Sequence, residues 1–135
     1  MKKRPLALIF LLLLCSACSS KGLAQKPSAP ESYVQENWPQ FSLVLYESSS
    51  QTLTLTQNST MTYDSACSHG KEIYSEELAL ETYLDTVQMI AYDVSTACQL
   101  DALLVVLQGV STDGQPIYTV SSSGELWACW TADTQ

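Results

Sequence analysis

Ala102-Leu-Leu-Val-Val-Leu107 is a continuous apolar run in the C-terminal third of the chain. It is too short for the long helix that its leucines could support, and its valines favour a β-strand. Because no polar residue interrupts the run, the pattern is typical of a strand that is buried on both faces. We therefore expect this segment to be the central strand of a sheet.

Two more strands are predicted after this run. Thr112-Asp-Gly-Gln115 contains the Asp-Gly pair, which tolerates the positive backbone angles of a tight hairpin. Residues 117–122 and 125–131 follow as strands, joined by a turn at Ser123-Gly124.

A helix and a hairpin are predicted before the run. Apolar residues recur at spacings of three and four over residues 76–91, which indicates an amphipathic helix, with Ser75 as its N-cap. Residues 41–47 and 51–57 are separated by three serines, and the second segment alternates leucine with threonine. This pattern predicts a hairpin with one buried face.

The remaining segments complete the predicted fold. Residues 58–71 have no period and contain turn formers, so they are interpreted as a loop. Pro30 begins a short predicted helix through Asn37, and Pro39 stops it. The expected fold class is α+β: one small domain with an antiparallel sheet of about five strands partly covered by helices, and one disulfide.

The first residues have the pattern of a bacterial lipoprotein signal. Residues 2–4 are basic, residues 6–14 are an unbroken apolar stretch, and a Ser-Ala pair comes just before Cys18. The apolar stretch is too short to span a bilayer as a mature helix. We therefore expect residues 1–17 to be the signal peptide and Cys18 to be the lipidated first residue of the mature protein.

Two features of the predicted anchor have alternatives: the cysteine at which the signal is cleaved, and whether a lipid is attached at all. Cys15 offers a competing cleavage register, and an ordinary secretory signal without lipid is a second interpretation. Ser19 after the cysteine resembles sorted lipoproteins and favours the outer membrane, with the domain facing the periplasm. Residues 18–32 are polar and proline-containing, which predicts a flexible tether. The folded domain is expected to comprise residues 33–135.

The chain is acidic once the signal is removed. Only Lys21, Lys26 and Lys71 of the 6 basic residues follow Cys18, whereas all 14 acidic residues do, leaving a net charge of about −11. Such a charge excludes nucleic acid as a partner and makes an anionic lipid surface unfavourable. It suits a basic peptide or protein, and it also suits an acidic surface that only aids solubility.

Cys67, Cys98 and Cys129 are the cysteines left for the folded part. In a compartment where disulfides persist, they allow one bridge and one leftover thiol. Spacing does not choose among the three pairings, although a bridge between Cys98 and Cys129 would clamp the C-terminal strands. His69, the only histidine, lies two residues after Cys67, so the two could form a nucleophilic pair or contribute to a zinc site.

No enzyme motif supports either of these chemistries. The chain lacks Gly-x-Ser-x-Gly, a Gly-rich phosphate loop and His-Glu-x-x-His, so neither catalysis nor a cofactor nor a metal is expected. Glu76, Glu77 and Glu81 are interpreted as a solvated helix face. Trp127 and Trp130 are predicted on opposite faces of the last strand, which leaves at least one of them available for a binding surface.

The order of these motifs resembles the small pilotin lipoproteins of type II secretion, in the α+β class found in vibrios and some Escherichia strains. The residues that carry the resemblance are the hairpin from Phe41, the helix ending near Cys98, the later hairpin at Asp113-Gly-Gln-Pro-Ile-Tyr118, and Cys129 near the C-terminus. They follow a lipoprotein signal and a tether, and together they extend over most of the mature chain.

The resemblance implies a disulfide between Cys98 and Cys129 and a function without catalysis. Such pilotins bind the C-terminal tail of a secretin subunit and carry it to the outer membrane by the lipoprotein sorting machinery. The residues that bind the tail cannot be assigned from the resemblance, and Cys67 has no counterpart in the family pattern.

The alternative function is inhibition of a basic hydrolase by a periplasm-facing lipoprotein, as in the lysozyme-inhibitor lipoproteins. An acidic, disulfide-stapled, β-rich domain suits that role. Ser123-Gly-Glu-Leu-Trp127 matches the loop that those inhibitors use only in part. The long predicted helix also fits poorly with their all-β barrel.

Overall fold

The computed structural model describes residues 29–73 and 77–131 of the chain. These residues form one α+β domain with a five-stranded sheet, as expected from the sequence. In chain order the elements are α1 (Pro30–Asn37), β1 (Leu43–Glu47), β2 (Thr52–Asn58), α2 (Tyr63–Ile73), α3 (Glu77–Cys98), β3 (Leu104–Val110), β4 (Pro116–Ser121) and β5 (Leu126–Ala128).

The strands lie in the sheet in the same order as in the chain. Neighbouring strands are antiparallel except β2 and β3, which run parallel, with Leu53 beside Val105. The expectation of a purely antiparallel sheet is therefore corrected at this one pair. A parallel pair needs a long crossover connection, which α2 and α3 together provide.

The strand formed by the apolar run is the middle strand of the sheet, as predicted, but it is buried on one face only. Val105 and Leu107 are buried, whereas Val106 is partly exposed and the side chain of Leu104 is 37% exposed. The prediction of two buried faces was wrong because the helices all cover the same side of the sheet.

The core lies between that side of the sheet and the helices. Val87, Ile90 and Val94 of α3 are completely buried, as is Val34 of α1. They pack with the inward side chains of the central strands, which are Leu53, Leu55, Val105, Leu107, Tyr118 and Val120. Full burial of each aliphatic side chain stabilises the fold by about 1.5–3 kcal/mol.

Helix α3 has the predicted type and periodicity, but it continues to Cys98 rather than ending at residue 91. The buried positions extend at a spacing of four through Val94 to Cys98, so the apolar stripe remains covered. The helix then ends at Gln99, whose φ of 56° is left-handed, and the Leu100 N–H donates to the Ser95 carbonyl oxygen. The predicted N-cap, Ser75, lies outside the described residues.

The segment predicted as a loop over residues 58–71 contains a helix, α2, so that prediction was wrong. Two hydrogen bonds stabilise the start of the helix: the Ser65 N–H donates to Thr62 Oγ1 at 3.3 Å, and the Tyr63 N–H donates to Asp113 Oδ1 at 2.9 Å. The second comes from the distant turn between β3 and β4. On the inner side, Ala66 is completely buried.

Helix α1 confirms the short helix predicted before the hairpin. Pro30 occupies its first turn, and the Trp38 N–H donates to the Val34 carbonyl oxygen where the helix ends. The helix contacts β1 and α3, so residues 30–32, which were assigned to the tether, are part of the folded domain.

The disulfide joins Cys67 to Cys129, not Cys98 to Cys129. The reason is α2, which the sequence did not predict: it brings Cys67 beside the end of β5, with 5.1 Å between the two Cα atoms. Cys98 is a buried free thiol, and burial raises its pKa. Closing a loop of 62 residues contributes about 4 kcal/mol on the chain-entropy model.

Candidate docking surface

The side of the sheet that faces away from the helices is the most distinctive surface of the described domain. We call it the open face. Strand alternation determines its members, because side chains at every second position point away from the core. Its residues are Leu43, Leu45 and Glu47 of β1, Thr52, Thr54 and Thr56 of β2, Leu104, Val106 and Gln108 of β3, Thr119 and Ser121 of β4, and Trp127 of β5.

Large apolar side chains lie at the two edges of the open face. Leu43 and Leu45 on β1 are 49% and 54% exposed, and Trp127 on β5 is 42% exposed. Trp127 is therefore exposed, as predicted for at least one of the two tryptophans. The prediction that both lie on the last strand was wrong, because β5 ends at Ala128 and Trp130 follows it, buried against Gly70 of α2.

Between the two edges the side chains are smaller or polar, except Leu104 on the central strand, which is 37% exposed. One row across the sheet runs through paired residues in the order Leu43, Thr56, Gln108, Thr119 and Trp127. The outer members are separated by four strand spacings, about 19 Å. We call the open face a trough, with the leucines of β1 and Trp127 at its sides and Thr54, Thr56, Val106, Gln108 and Thr119 as its floor. Leu104 lies at one end of the floor, in the row of Thr52.

The middle of the trough contains no charged side chain, but its end row includes Glu47, which lies beside Thr52, and this end of the sheet is acidic. Glu47 ends β1, Asp101 precedes β3, and Glu125 lies in the turn between β4 and β5; all three are exposed. Because these turns meet at the same end of the sheet, we call this group the acidic end. The carboxylate of Glu47 accepts hydrogen bonds from the hydroxyls of Ser49 at 3.2 Å and Ser50 at 3.1 Å.

A shallow cleft of about 550 Å³ opens at the acidic end. It lies between the β1–β2 turn, the segment before β3 and the β4–β5 turn. Gln51 spans part of it, because its side-chain oxygen accepts the Ala102 N–H at 3.2 Å. The residues that line the cleft are four serines together with Gln51, Ala102, Leu103 and Leu104.

The outer edge of β1 is occupied by α1. The backbone N–H of Tyr46 donates to Glu31 Oε1 at 2.9 Å. Because this carboxylate accepts the Tyr46 N–H, that backbone donor is not free to pair with an added strand. The opposite edge strand, β5, has only three residues.

The residues proposed from the sequence for catalysis or metal binding are not assembled into such a site. The sulfur of Cys67 is bonded to Cys129, so it is not a nucleophilic thiol. Among the cysteines that the structure describes, Cys98 is then the one free thiol. His69 is 60% exposed on α2, with Nδ1 3.9 Å from Glu72 Oε2. Within residues 29–73 and 77–131, no cluster of three His, Cys, Asp or Glu side chains is placed to hold a metal ion.

The remaining predicted positions divide between surface and undescribed residues. Glu81 is exposed on α3, as expected of a solvated helix face, whereas the side chains of Glu76 and Glu77 lie outside the described part. Cys18, the predicted lipidation site, also lies outside it. In the described part of the chain, no helix combines the length and hydropathy needed to cross a membrane.

Sequence reasoning did not find the open face as a surface. The alternating Leu and Thr of β2 indicated a solvent side, but the apolar sides come from β1 and β5, which are brought to the same face only by the pairing of all five strands. One sequence feature could have indicated this surface: Leu43 and Leu45 alternate along the first strand of the predicted hairpin, on the side that its second strand makes polar.

Comparisons with known protein families, characterised proteins and solved structures found no significant match to this chain.

Proposed function

We propose that this protein is a pilotin-like lipoprotein that binds the C-terminal tail of a secretin subunit and directs it to the outer membrane. The observation that carries the proposal is the open face: a largely uncharged, partly apolar surface on a small acidic domain, opposite the helices of the described residues. A face of this kind suits the capture of a short apolar segment from a partner.

Two further features support the proposal. The hairpin that begins near Phe41, the helix that ends at Cys98 and the hairpin at Asp113 occur in the order of the resemblance described above. The predicted signal peptide is followed directly by Cys18, the expected lipidation site. A carrier needs both a binding face and an anchor, because its destination is part of its function.

Capture of the partner is tested by affinity isolation from detergent-solubilised envelope with the intact lipoprotein. We expect recovery of a secretin, and loss of that recovery when the secretin's C-terminal tail is deleted. Recovery of a basic, lysozyme-like hydrolase in place of a secretin would contradict the proposal and favour the inhibitor alternative.

The surface used is tested with a matched pair of variants. Leu45→Asp introduces a charge at the side of the trough, whereas Met89→Asp does so on the outer side of α3 at a similar exposure of 50%. We expect only Leu45→Asp to lower secretin recovery, with both variants retaining the thermal midpoint of the parent within a few degrees.

The anchor is tested at the two competing cysteines. Cys18→Ala should abolish incorporation of labelled palmitate and leave tail binding intact, while secretin no longer reaches the outer membrane. Cys15→Ala is the control and should behave as the parent. Normal secretin assembly with an unlipidated Cys18→Ala protein would contradict the role of the anchor.

A further inference from the structure

We propose that the link between Asp113 and Gly114 is a site of spontaneous covalent modification, the isomerisation of Asp113 to isoaspartate, and that the folded start of α2 suppresses it. The proposal goes beyond the proposed function and is independent of the partner that the open face binds. The observations that carry it are the sequence of the turn between β3 and β4, its exposure, and the hydrogen bonds made by its two reacting groups.

The reaction joins the side chain of an aspartate to the backbone of the next residue. The backbone nitrogen attacks the side-chain Cγ atom, so that a C–N bond forms and a C–O bond of the carboxyl group breaks. The amide proton and the carboxyl hydroxyl leave together as one water molecule, and a five-membered succinimide ring results. Water then adds to either carbonyl of the ring and opens it, which restores aspartate or gives isoaspartate.

The turn has the sequence and the exposure that this reaction needs. Asp113 is the one aspartate in the chain that a glycine follows, and glycine has no side chain to hinder the approach of its nitrogen. Both residues are exposed, so water reaches them. Asp85 and Asp93, by contrast, lie inside α3, where helical hydrogen bonds hold the backbone. We therefore expect isomerisation at Asp113 first.

The attacking nitrogen is held by a hydrogen bond. The Gly114 N–H donates to the Ser111 carbonyl oxygen at 3.0 Å, and Gly114 has a φ of 83°, which glycine adopts without strain. Two more bonds close the turn: the Ser111 N–H donates to the Gln115 carbonyl oxygen at 2.9 Å, and the Gln115 N–H donates to Ser111 Oγ at 3.0 Å. Attack requires the Gly114 nitrogen to lose its proton and turn toward Cγ, so this arrangement must open first.

The carboxyl group is held as well, in part by the start of α2. Asp113 Oδ1 accepts the Tyr63 N–H at 2.9 Å. The hydrogen bond from the Ser111 side chain, followed by that from Tyr63, lowers the pKa of Asp113. Only the neutral carboxyl group has a hydroxyl that leaves readily, so these bonds reduce the reactive fraction. Isomerisation therefore depends on opening of the hydrogen bond between Asp113 and the first residue of α2.

Isomerisation in turn removes that hydrogen bond. In isoaspartate the main chain runs through the former side-chain carbon, so the carboxylate is displaced and the Tyr63 N–H loses its acceptor. The added backbone atom also breaks the pairing of Ser111 with Gln115. Helix α2 remains attached to the end of β5 through the Cys67 disulfide, but its first turn is no longer fixed to the sheet. A slow chemical change at one turn is thus linked to loosening of α2.

The test uses the full-length protein in a mild non-ionic detergent at mildly acidic pH, with the same protein unfolded in guanidinium chloride as the reference. Tyr63→Pro and Tyr63→Ala form a matched pair, because both lose the ring but only proline lacks the N–H that binds Asp113. Proline is tolerated in the first turn of a helix, where Tyr63 lies. Peptide mapping locates isoaspartate, and enzymatic methyl transfer to its carboxylate measures the amount.

We expect isoaspartate to form at Asp113 ahead of every other position, and at least tenfold more slowly in the folded protein than in the unfolded one. Tyr63→Pro should isomerise several-fold faster than Tyr63→Ala, with both folded by circular dichroism. Ser111→Ala, which removes the other hydrogen bond to the carboxylate, should also isomerise faster than the parent. It provides the test of the carboxylate bonds if Tyr63→Pro does not fold.

Equal rates in the folded and the unfolded protein would overturn the protective role of the fold. Isoaspartate formed mainly at another position would overturn the assignment of the site. Equal rates for the two Tyr63 variants, or an unchanged rate for Ser111→Ala where the proline variant does not fold, would overturn the role of the carboxylate bonds. None of these measurements involves secretin, so the inference and the proposed function fail separately.

Discussion

Gly70 lies where α2 crosses the ring of Trp130. A Cβ atom at this position would overlap the ring, because the helix backbone packs directly on the indole. The close approach also lets Trp130 contact Tyr118, whose ring centroid is 6.4 Å away, and so joins α2 to β4. The close packing of α2 on Trp130 therefore depends on the absence of a side chain at Gly70.

Gly70→Ala should destabilise the domain by about 1–3 kcal/mol, because the added methyl forces the helix or the indole to move. Ser68→Ala is the control, since Ser68 is exposed on the same helix; its effect should stay within about 0.5 kcal/mol. Urea unfolding followed by tryptophan fluorescence, with the disulfide intact, measures both. Equal stability of the two variants would contradict the tight packing described here.

The contribution of Asp113 to the stability of the fold depends on pH. The hydrogen bond from the Ser111 side chain, followed by that from the Tyr63 N–H, holds the pKa of this carboxyl below its ordinary value of 3.8. The folded state thus favours the ionised form. Its stabilisation is present above pH 3.8 and is lost as the pH falls through the lower pKa of the folded state.

Asp113→Ala should therefore lower the thermal midpoint at neutral pH, and the difference from the parent should shrink below about pH 4. Asp85→Asn, an exposed change on α3, serves as the control. Thermal unfolding between pH 2 and pH 7 checks the prediction. A difference for Asp113→Ala that stays constant down to pH 2 would show that the carboxylate charge does not stabilise the start of α2.

At the scale of elements, hydrophobic periodicity correctly predicted the helices and strands whose structure depends on their own local sequence. The leucine and threonine alternation of β2 and the three-four spacing of α3 both gave the right structure, since each element covers one face of a core. Helix α2 was missed because its stability is not local. Its first turn is capped by Asp113, which lies far along the chain, and the buried positions of its inner face are the small residues Ala66 and Gly70.

The end of α3 provides a test of element boundaries. Gln99 adopts a left-handed conformation that costs a non-glycine residue about 1 kcal/mol, so Gln99→Gly should stabilise the protein by about that amount. Gln88→Gly, at an exposed position in the interior of the same helix, should destabilise it by about 1 kcal/mol. Opposite signs in chemical denaturation are the expected result, and the same sign for both would contradict the assigned helix end.

For the whole molecule, the sequence predicted the fold class, the five strands and the position of the central strand. It did not predict the disulfide, because the pairing depends on α2 reaching the end of β5. The open face was missed for a similar reason: its apolar sides lie on the first and last strands, and no local pattern relates Leu43 to Trp127.

The disulfide is checked by peptide mapping of the unreduced protein. We expect a linked pair of peptides containing Cys67 and Cys129, and alkylation of Cys98 only after unfolding. Cys67→Ala should cost about 2–5 kcal/mol of stability in oxidising conditions, whereas reduction of that variant should change nothing further. A linked peptide containing Cys98 would restore the pairing implied by the resemblance.

The parallel contact between β2 and β3 also has a kinetic consequence. Leu53 and Val105 are neighbours in the sheet, although all of α2 and α3 lies between them in the chain. Closing this long loop costs conformational entropy before the contacts at the centre of the sheet form. Folding should therefore be slow for a domain of this size. Until β3 arrives, the first hairpin has an unpaired edge of alternating leucine and threonine. A chain interrupted before residue 104 would therefore be prone to aggregate, and prompt synthesis of the C-terminal third protects the rest of the molecule.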